Sequence, residues 1–282
     1  MIYNRKSGYY IEEIEDNEKT LDFLYNTMLG RIILKIVINP YFSKKMAKYY
    51  KSRKSKKKIL PFIKKFNIDV SGIDINAFNS FNDFFTRKKE FNFQGKKDVL
   101  IAVAESKLSV YKIRKNSLFK IKNSIYSVED ILQSKELSNR YMDGCLLIFR
   151  LTTDNLHRFI YIDNGNILKK YKIKGVLHTV RSISSKYKVF KHNSREITVM
   201  NTQNFGSVTQ VEVGALTVGK IINHTKESFK KGEEKGYFEF GGSTIILFFE
   251  PDKIIIDDDI LKQSKNGIET EVQIGETIGK AL

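Results

Sequence analysis

Apolar positions follow two different rhythms along the chain, and the change comes near residue 98. Over residues 20–66 they recur at helical spacing, which predicts a helical amino-terminal part. Within it, residues 24–38 are mostly apolar, with Arg31 and Lys35 spaced through them. Such a segment fits either of two settings. It can lie in a membrane interface with its cations snorkelling outward, or it can be a buried core helix. From about residue 98 the rhythm shortens. Apolar, β-branched runs at 99–104, 108–113, 145–151, 176–183, 196–201, 207–213, 244–249 and 253–256 are separated by turn residues. Asp163-Asn164-Gly165, Asn204-Phe205-Gly206 and Lys265-Asn266-Gly267 are turn signals. Strands at this spacing predict a barrel or sandwich. The expected fold class is therefore α+β, with a helical region over 1–80 and a β-rich catalytic domain over 81–282. The sequence contains no internal repeat.

Composition adds little until charge is considered. The 282 residues are 41% hydrophobic and 29% charged, as in ordinary globular chains. Lys, Asn and Ile are abundant, a bias that an AT-rich genome also produces. The net charge is +17, so the surface attracts polyanions. The run Lys51-Ser52-Arg53-Lys54-Ser55-Lys56-Lys57-Lys58 concentrates that charge. Anionic lipid, nucleic acid and a plain solvated face all fit it. No RNA-binding motif, zinc finger or helix-turn-helix pattern accompanies it, so nucleic acid is not expected as a partner. No apolar run reaches the roughly 18 residues of a membrane span, and the first residues carry no apolar signal core. Cys145 is the single cysteine, which excludes an intramolecular disulfide; its apolar surroundings predict a buried structural thiol.

Chemistry concentrates in one segment. Residues 231–244 read Lys-Gly-Glu-Glu-Lys-Gly-Tyr-Phe-Glu-Phe-Gly-Gly-Ser-Thr, ahead of the apolar run 245–249. Glycines before a serine give the backbone freedom, and a strained turn could push the Ser243 hydroxyl toward the Gly242 carbonyl. That geometry permits an N-to-O acyl shift, then elimination and hydrolysis, leaving a pyruvoyl group on a new amino terminus. By itself Gly-Gly-Ser-Thr also fits a simple turn into a strand.

The whole segment resembles the signature of bacterial phosphatidylserine decarboxylases. So do Phe81-Asn82-Asp83-Phe84-Phe85-Thr86-Arg87-Lys88, Leu156-His157-Arg158-Phe159 and Val211-Glu212-Val213-Gly214-Ala215-Leu216-Thr217-Val218-Gly219, in the family's order. The resemblance implies self-cleavage between Gly242 and Ser243 into two chains that stay associated. It also implies a covalent pyruvoyl cofactor made from Ser243. That carbonyl would form a Schiff base with the amine of phosphatidylserine and act as electron sink while CO2 leaves, giving phosphatidylethanolamine. It further implies a peripheral position on the cytoplasmic side of the cell membrane, contact with anionic phospholipid, and homo-oligomerisation.

The chain departs from the family pattern at three places. Glu105 stands where the family has an aspartate, followed by Ser106 rather than glycine. Ile160 replaces the second histidine of the family's His-Arg-x-His motif, which with the aspartate and the serine forms a protease-like triad for self-cleavage. His178 lies in a run where the family tends to have an aromatic residue; it is either a substitute base or an ordinary strand histidine. Ser243, His157 and Glu105 are accordingly the expected catalytic residues, while His192 and His224 read as surface or loop histidines. Two other functions stay open: a degenerate membrane-binding paralogue without catalysis, and a pyruvoyl decarboxylase of another amine. A serine hydrolase lacks its Gly-x-Ser-x-Gly elbow, and no metal or nucleotide motif occurs.

Overall fold

The computed structural model describes residues 1–13, 18–88, 97–114, 118–121, 124–216, 220–241 and 243–282. The chain opens with strands β1 (Ile2–Asn4) and β2 (Tyr9–Ile11), then helices α1 (Glu18–Asn26), α2 (Met28–Val37), α3 (Pro40–Tyr50), α4 (Ile59–Phe66) and α5 (Phe81–Phe85). The middle holds β3 (Val99–Ile101), β4 (Ser106–Lys112), β5 (Leu118–Ile121), β6 (Ser124–Ser127), α6 (Val128–Leu132), α7 (Lys135–Arg140), β7 (Cys145–Leu151), β8 (Arg158–Ile160) and β9 (Gly165–Ile173). The remainder holds α8 (Val189–His192), β10 (Arg195–Thr202), β11 (Gly206–Gly214), β12 (Ile221–Asn223), β13 (Ser228–Phe229), β14 (Glu234–Phe238), β15 (Ser243–Phe249), β16 (Ile254–Ile256), α9 (Asp258–Lys265), β17 (Glu269–Val272) and β18 (Thr277–Ala281).

Ten strands form one sheet in the order β13-β9-β10-β11-β15-β7-β4-β17-β1-β2, and β12-β14-β8 and β16-β18-β3 form two smaller ones. The large sheet is open at β13 and β2. The barrel expectation is thus corrected; the layered, sandwich-like alternative describes the arrangement better. Side chains alternate across β15. Ile245, Leu247 and Phe249 join a core with Phe159, Ile221 and Phe238 of the small sheets, while Ile246 and Phe248 join Tyr126, Ile131 and Phe190 on the opposite face. With both faces covered, β15 is buried along its whole length, which explains its unbroken apolar run. The first residues do not belong to the helical region, because β1 pairs in parallel with β17.

Local chemistry sets the helix boundaries. Thr27 caps α2, accepting from the Gly30 amide at 2.9 Å. Asn39 caps α3 ahead of Pro40. At Gly30 a β-carbon would meet the Phe23 carbonyl at 1.9 Å, so only glycine lets α1 and α2 cross this closely. Leu34 of α2 packs inward with Leu21, Leu24 and Tyr25. The outer face is different: Met28, Leu29, Ile32 and Ile36 are all exposed, Met28 at 80% and Ile36 at 63%. Of residues 24–38, Leu24, Tyr25 and Leu34 pack inward, while α2 keeps an exposed apolar face. Among the described residues no helix is long and apolar enough to cross a membrane.

The strand expected at 176–183 does not form. Val176 makes one bridge to Asn193, and a 3-10 turn follows over Ser182–Tyr187. Its backbone groups are satisfied elsewhere: the Asn193 side chain bonds both N–H and C=O of His178, and Leu177 N–H donates to Ile38 O at 2.9 Å. Ile183 packs with Leu21, Leu24 and Tyr25 of α1, while Val180 packs on the main core. Strand β9, with mostly exposed, lysine-rich positions, has no counterpart among the expected strands, since its apolar positions do not alternate cleanly.

Candidate active site

Strand β14 belongs to a small sheet and β15 to the large one, so residues 239–242 carry the chain from one layer to the other. Gly241 has φ +134°, a value that side chains rarely allow. Ser243 is the first residue of β15 and pairs with Gly214 of β11 and Leu151 of β7. Its hydroxyl is fully buried and makes no hydrogen bond. An orphaned hydroxyl in a core costs about 1–3 kcal/mol, and it stands at the start of the best-buried strand. Gly242 itself lies outside the described residues.

An aromatic cluster fixes this crossover. Phe240 packs on Tyr50 at 4.2 Å and on Phe81 and Phe85, each at 5.1 Å between ring centres. Its N–H donates to Asn82 Oδ1 at 3.2 Å. The Phe-rich motif at 81–88 is therefore the socket that holds the glycine turn. Phe85 also stacks on His157 at 4.3 Å.

His157 is wholly buried between β7 and β8. Its Nδ1 lies 2.9 Å from the Asn155 carbonyl, which can only accept. The proton therefore sits on Nδ1, and Nε2 keeps its lone pair. Nε2 closes no hydrogen bond. Burial depresses the imidazole to a pKa of about 4, opposed by the Asn155 carbonyl, by Asp154 and, more weakly, by the Gly241 carbonyl. Gly241 therefore lies beside the ring, two residues before Ser243.

Glu105 makes no hydrogen bond to the Ser243 hydroxyl. Its Oε1 accepts from Asn155 Nδ2 at 3.2 Å, and its charge acts on Arg87, whose pKa burial lowers. Asn155 Oδ1 accepts from Thr152 N–H and Oγ1 at 3.0 and 2.9 Å. Glu105 thus reaches His157 through Asn155. Sequence reasoning missed Asn155; its position two residues before the histidine was the available signal. Ile160 is buried, and its N–H donates to Val103 O at 2.9 Å, two residues from Glu105. The backbone bond brings Ile160 beside the segment that leads into Glu105, but the Ile160 side chain has no ionisable group.

His178 is buried, and its ring's described partners are tyrosines. Its Nδ1 meets Tyr25 Oη at 3.1 Å, and the ring stacks on Tyr187 at 4.5 Å. His192 is exposed on α8, and His224 Nε2 meets Glu234 at 2.7 Å. Cys145 is half-buried, and burial pushes its thiol up to about 12. The 231–235 block is structural: Lys235 and Glu212 form a fully buried pair at 2.8 Å, and Arg158 grips Glu234 at 2.6 Å.

A cavity of about 220 Å³ opens against the crossover. It is lined by Gly241, Phe240, Leu151, Thr152, Thr179 and Arg181, with Leu21 and Leu24 of α1 forming its roof. Its lining combines threonine hydroxyls and the cations Arg150 and Arg181 with apolar side chains. Among the described residues no cluster of side chains could hold a metal ion.

The family model for phosphatidylserine decarboxylase matches residues 81–280. The chain belongs to the phosphatidylserine decarboxylase family. It is 49% identical over 286 residues to phosphatidylserine decarboxylase proenzyme 2 of Clostridium acetobutylicum, covering 99% of this chain and 98% of that one. It is 41% identical to the proenzyme of Clostridium tetani, over 99% of this chain and 97% of that one. The Clostridium botulinum (strain Alaska E43) proenzyme is 39% identical over 100% and 99%. The family match covers Ser243, His157 and Glu105, and the longer alignments extend it through the amino-terminal helices.

Proposed function

We propose that this protein is a phosphatidylserine decarboxylase that cleaves itself between Gly242 and Ser243, producing phosphatidylethanolamine and CO2 on a membrane surface. The observation that carries this reading is the buried, unpartnered Ser243 hydroxyl at a glycine crossover beside His157. Most buried hydroxyls are paired, and this unpaired one stands at the glycine crossover beside a ring nitrogen that is unpaired as well.

His157 Nε2 is the available base. It removes the Ser243 proton as Oγ attacks the Gly242 carbonyl, and the Gly242–Ser243 peptide becomes an ester. The Asn155 and Gly241 carbonyls and Asp154 favour the imidazolium that results. Loss of the Ser243 α-proton then expels the Gly242 carboxylate, and hydrolysis of the dehydroalanine releases ammonia and leaves a pyruvoyl group. That group supplies an electron sink for decarboxylation once the substrate amine is bound. Arg181 and the threonines of the 220 Å³ cavity are placed to orient the anionic serine headgroup, and Leu21 and Leu24 exclude water above it. Glu105, through Asn155, positions His157; with Ile160 in the second histidine position, that one imidazole serves both maturation and turnover. Asn155 and Glu105 are thus positioning residues.

Membrane contact rests on the exposed apolar face of α2 with Arg31 and Lys35 on its flanks. A domain division near residue 80 puts this face and the aromatic socket's partners in one region and the chemistry in the other.

Intact-mass measurement of the purified protein tests the core of the reading. Two chains separated at Gly242–Ser243, the smaller with a pyruvoyl mass at its amino terminus, are expected. A single uncut chain in the presence of phosphatidylserine vesicles would overturn it and favour a membrane-binding paralogue. Turnover of a soluble amino acid in place of the lipid would redirect the substrate.

A further inference from the structure

Helix α3 and its C-cap residue Lys51 place Lys44, Lys48 and Lys51 at i, i+4 and i+7, along one side. That face looks across a cavity of about 850 Å³ at Lys172, Lys174 and Lys220, so that six lysines and one carboxylate, Glu239, line the same space. Lys51 is neutralised by Glu239 at 2.6 Å, and Lys172 by Glu196 at 2.9 Å. Lys44, Lys48, Lys174 and Lys220 form no ion pair among the described residues. Four unneutralised ammonium groups around one concavity repel each other and focus a positive potential into it. A second, independent feature points the same way. Ser43, in the first turn of α3, is 1% exposed, lines this cavity, and its hydroxyl has no hydrogen-bond partner. Ammonium donors and a spare hydroxyl around one hollow suit the oxygens of a single phosphoryl group. Pro40 also lines the cavity, and α2 with its exposed apolar face ends three residues before it, at Val37.

We infer that the lysine-lined cavity binds the phosphodiester of an anionic glycerophospholipid, with Lys44, Lys48, Lys174, Lys220 and Ser43 holding the phosphate and the acyl chains leaving along α2. The lipid class rests on the reading that the chain works on membrane phospholipid; the anion site itself does not. The site is separate from the 220 Å³ cavity at Gly241, although Gly214, the β-partner of Ser243, forms part of its wall. The same chemistry has two sources: the substrate's own phosphate, or a second anionic lipid. A nucleic acid would want a basic track with stacked aromatic rings, and among the described residues none with an aromatic ring lines this cavity.

The test uses the full-length, self-processed protein and dihexanoylphosphatidylglycerol, which carries the phosphodiester but no amine. Calorimetry is expected to show saturable binding, weakened about 10–100-fold in Lys174→Gln/Lys220→Gln. The milder Ser43→Ala is expected to weaken it several-fold, and it serves as the second readout if the double variant folds poorly. If the occupant is the substrate, the probe competes with dihexanoylphosphatidylserine and the double variant raises KM without lowering kcat. If it is a second lipid, the probe alters turnover without competing, and that response disappears in the variant. Identical binding by wild type and both variants overturns the site, as does an oligonucleotide binding there while the lipid probe does not. Failure to cleave at Ser243, read separately by mass, would defeat the decarboxylase reading while leaving this binding result intact.

Discussion

His157 and His178 are both buried imidazoles, and burial holds both at a pKa of about 4. Ranked by burial or by pKa they are the same residue. They differ in which nitrogen keeps its lone pair and what that lone pair meets. Tyr25 Oη accepts the Thr179 N–H at 3.1 Å, so its own proton points at His178 Nδ1. That bond consumes the lone pair, and burial keeps the tyrosine protonated by raising its pKa. In His157 the carbonyl of Asn155 takes the Nδ1 proton, and the lone pair on Nε2 is left unspent beside the glycine crossover. A perturbed pKa marks a low-dielectric place; only the hydrogen-bond arrangement separates a tool from a strut.

The sharpest way to break this contrast is to remove the chemistry from each side in turn. Ser243→Ala is expected to abolish cleavage and all decarboxylation, with a single uncut mass. His157→Gln keeps a polar side chain but no base, and is expected to slow maturation or turnover by about 10²–10⁴-fold. His178→Phe should mature and turn over within a few-fold of wild type. It should instead lose about 1–3 kcal/mol of stability, because Tyr25 is left with an unmatched proton. Rapid cleavage by His157→Gln together with an inert His178→Phe would exchange their roles.

Acidification separates the two histidines by a different route. Both are neutral when folded and have an ordinary pKa near 6.5 when unfolded. Below about pH 6.5 the unfolded chain binds more protons than the folded one, so stability falls as pH drops from about 6.5 to about 4, by on the order of 2–3 kcal/mol per histidine. His178→Phe is expected to remove about half of that slope in a denaturant titration. It should leave the acid limb of the maturation rate near pH 4, because that limb belongs to His157. An acid limb near the ordinary value of about 6.5 would mean that a solvated base, not His157, carries the proton.

Much of this contrast was out of reach of the sequence, for identifiable reasons. The helical and β-rich parts were legible because their apolar periodicities differ, and Ser243 and His157 could be singled out because they stand in ordered blocks resembling a family. The run at 176–183 looks like a strand because it is apolar and β-branched between turn residues. Whether such a run joins a sheet depends on what satisfies its amides, and here Asn193 and Ile38 do. Closure of the sheet could not be read either, since strand spacing is the same in an open sheet and a barrel. His178 was ambiguous because its partner, Tyr25, lies 153 residues away. The lone-pair argument needs that partner.

The smallest expected effect is at Glu105, and it bears on the departure at position 160. If Glu105 acted as the acid of a triad, neutralising it would approach the loss seen for the base itself. The proposed mechanism gives it a lesser part. It holds the amide of Asn155, whose backbone carbonyl fixes the His157 tautomer. Glu105→Gln keeps an acceptor for that amide, so the maturation rate should fall only about two- to five-fold, a fraction of the energy of one charged hydrogen bond. Glu105→Ala removes the acceptor and should cost more, with Asn155→Ala costing as much again because its side chain also pins Thr152. Graded losses of this kind, read as rates of appearance of the small chain, fit an indirect support. A Glu105→Gln loss of about a thousand-fold, the size expected for a general base, would instead place that carboxylate in direct contact with the reacting atoms, a role that Ile160 leaves without an intervening imidazole.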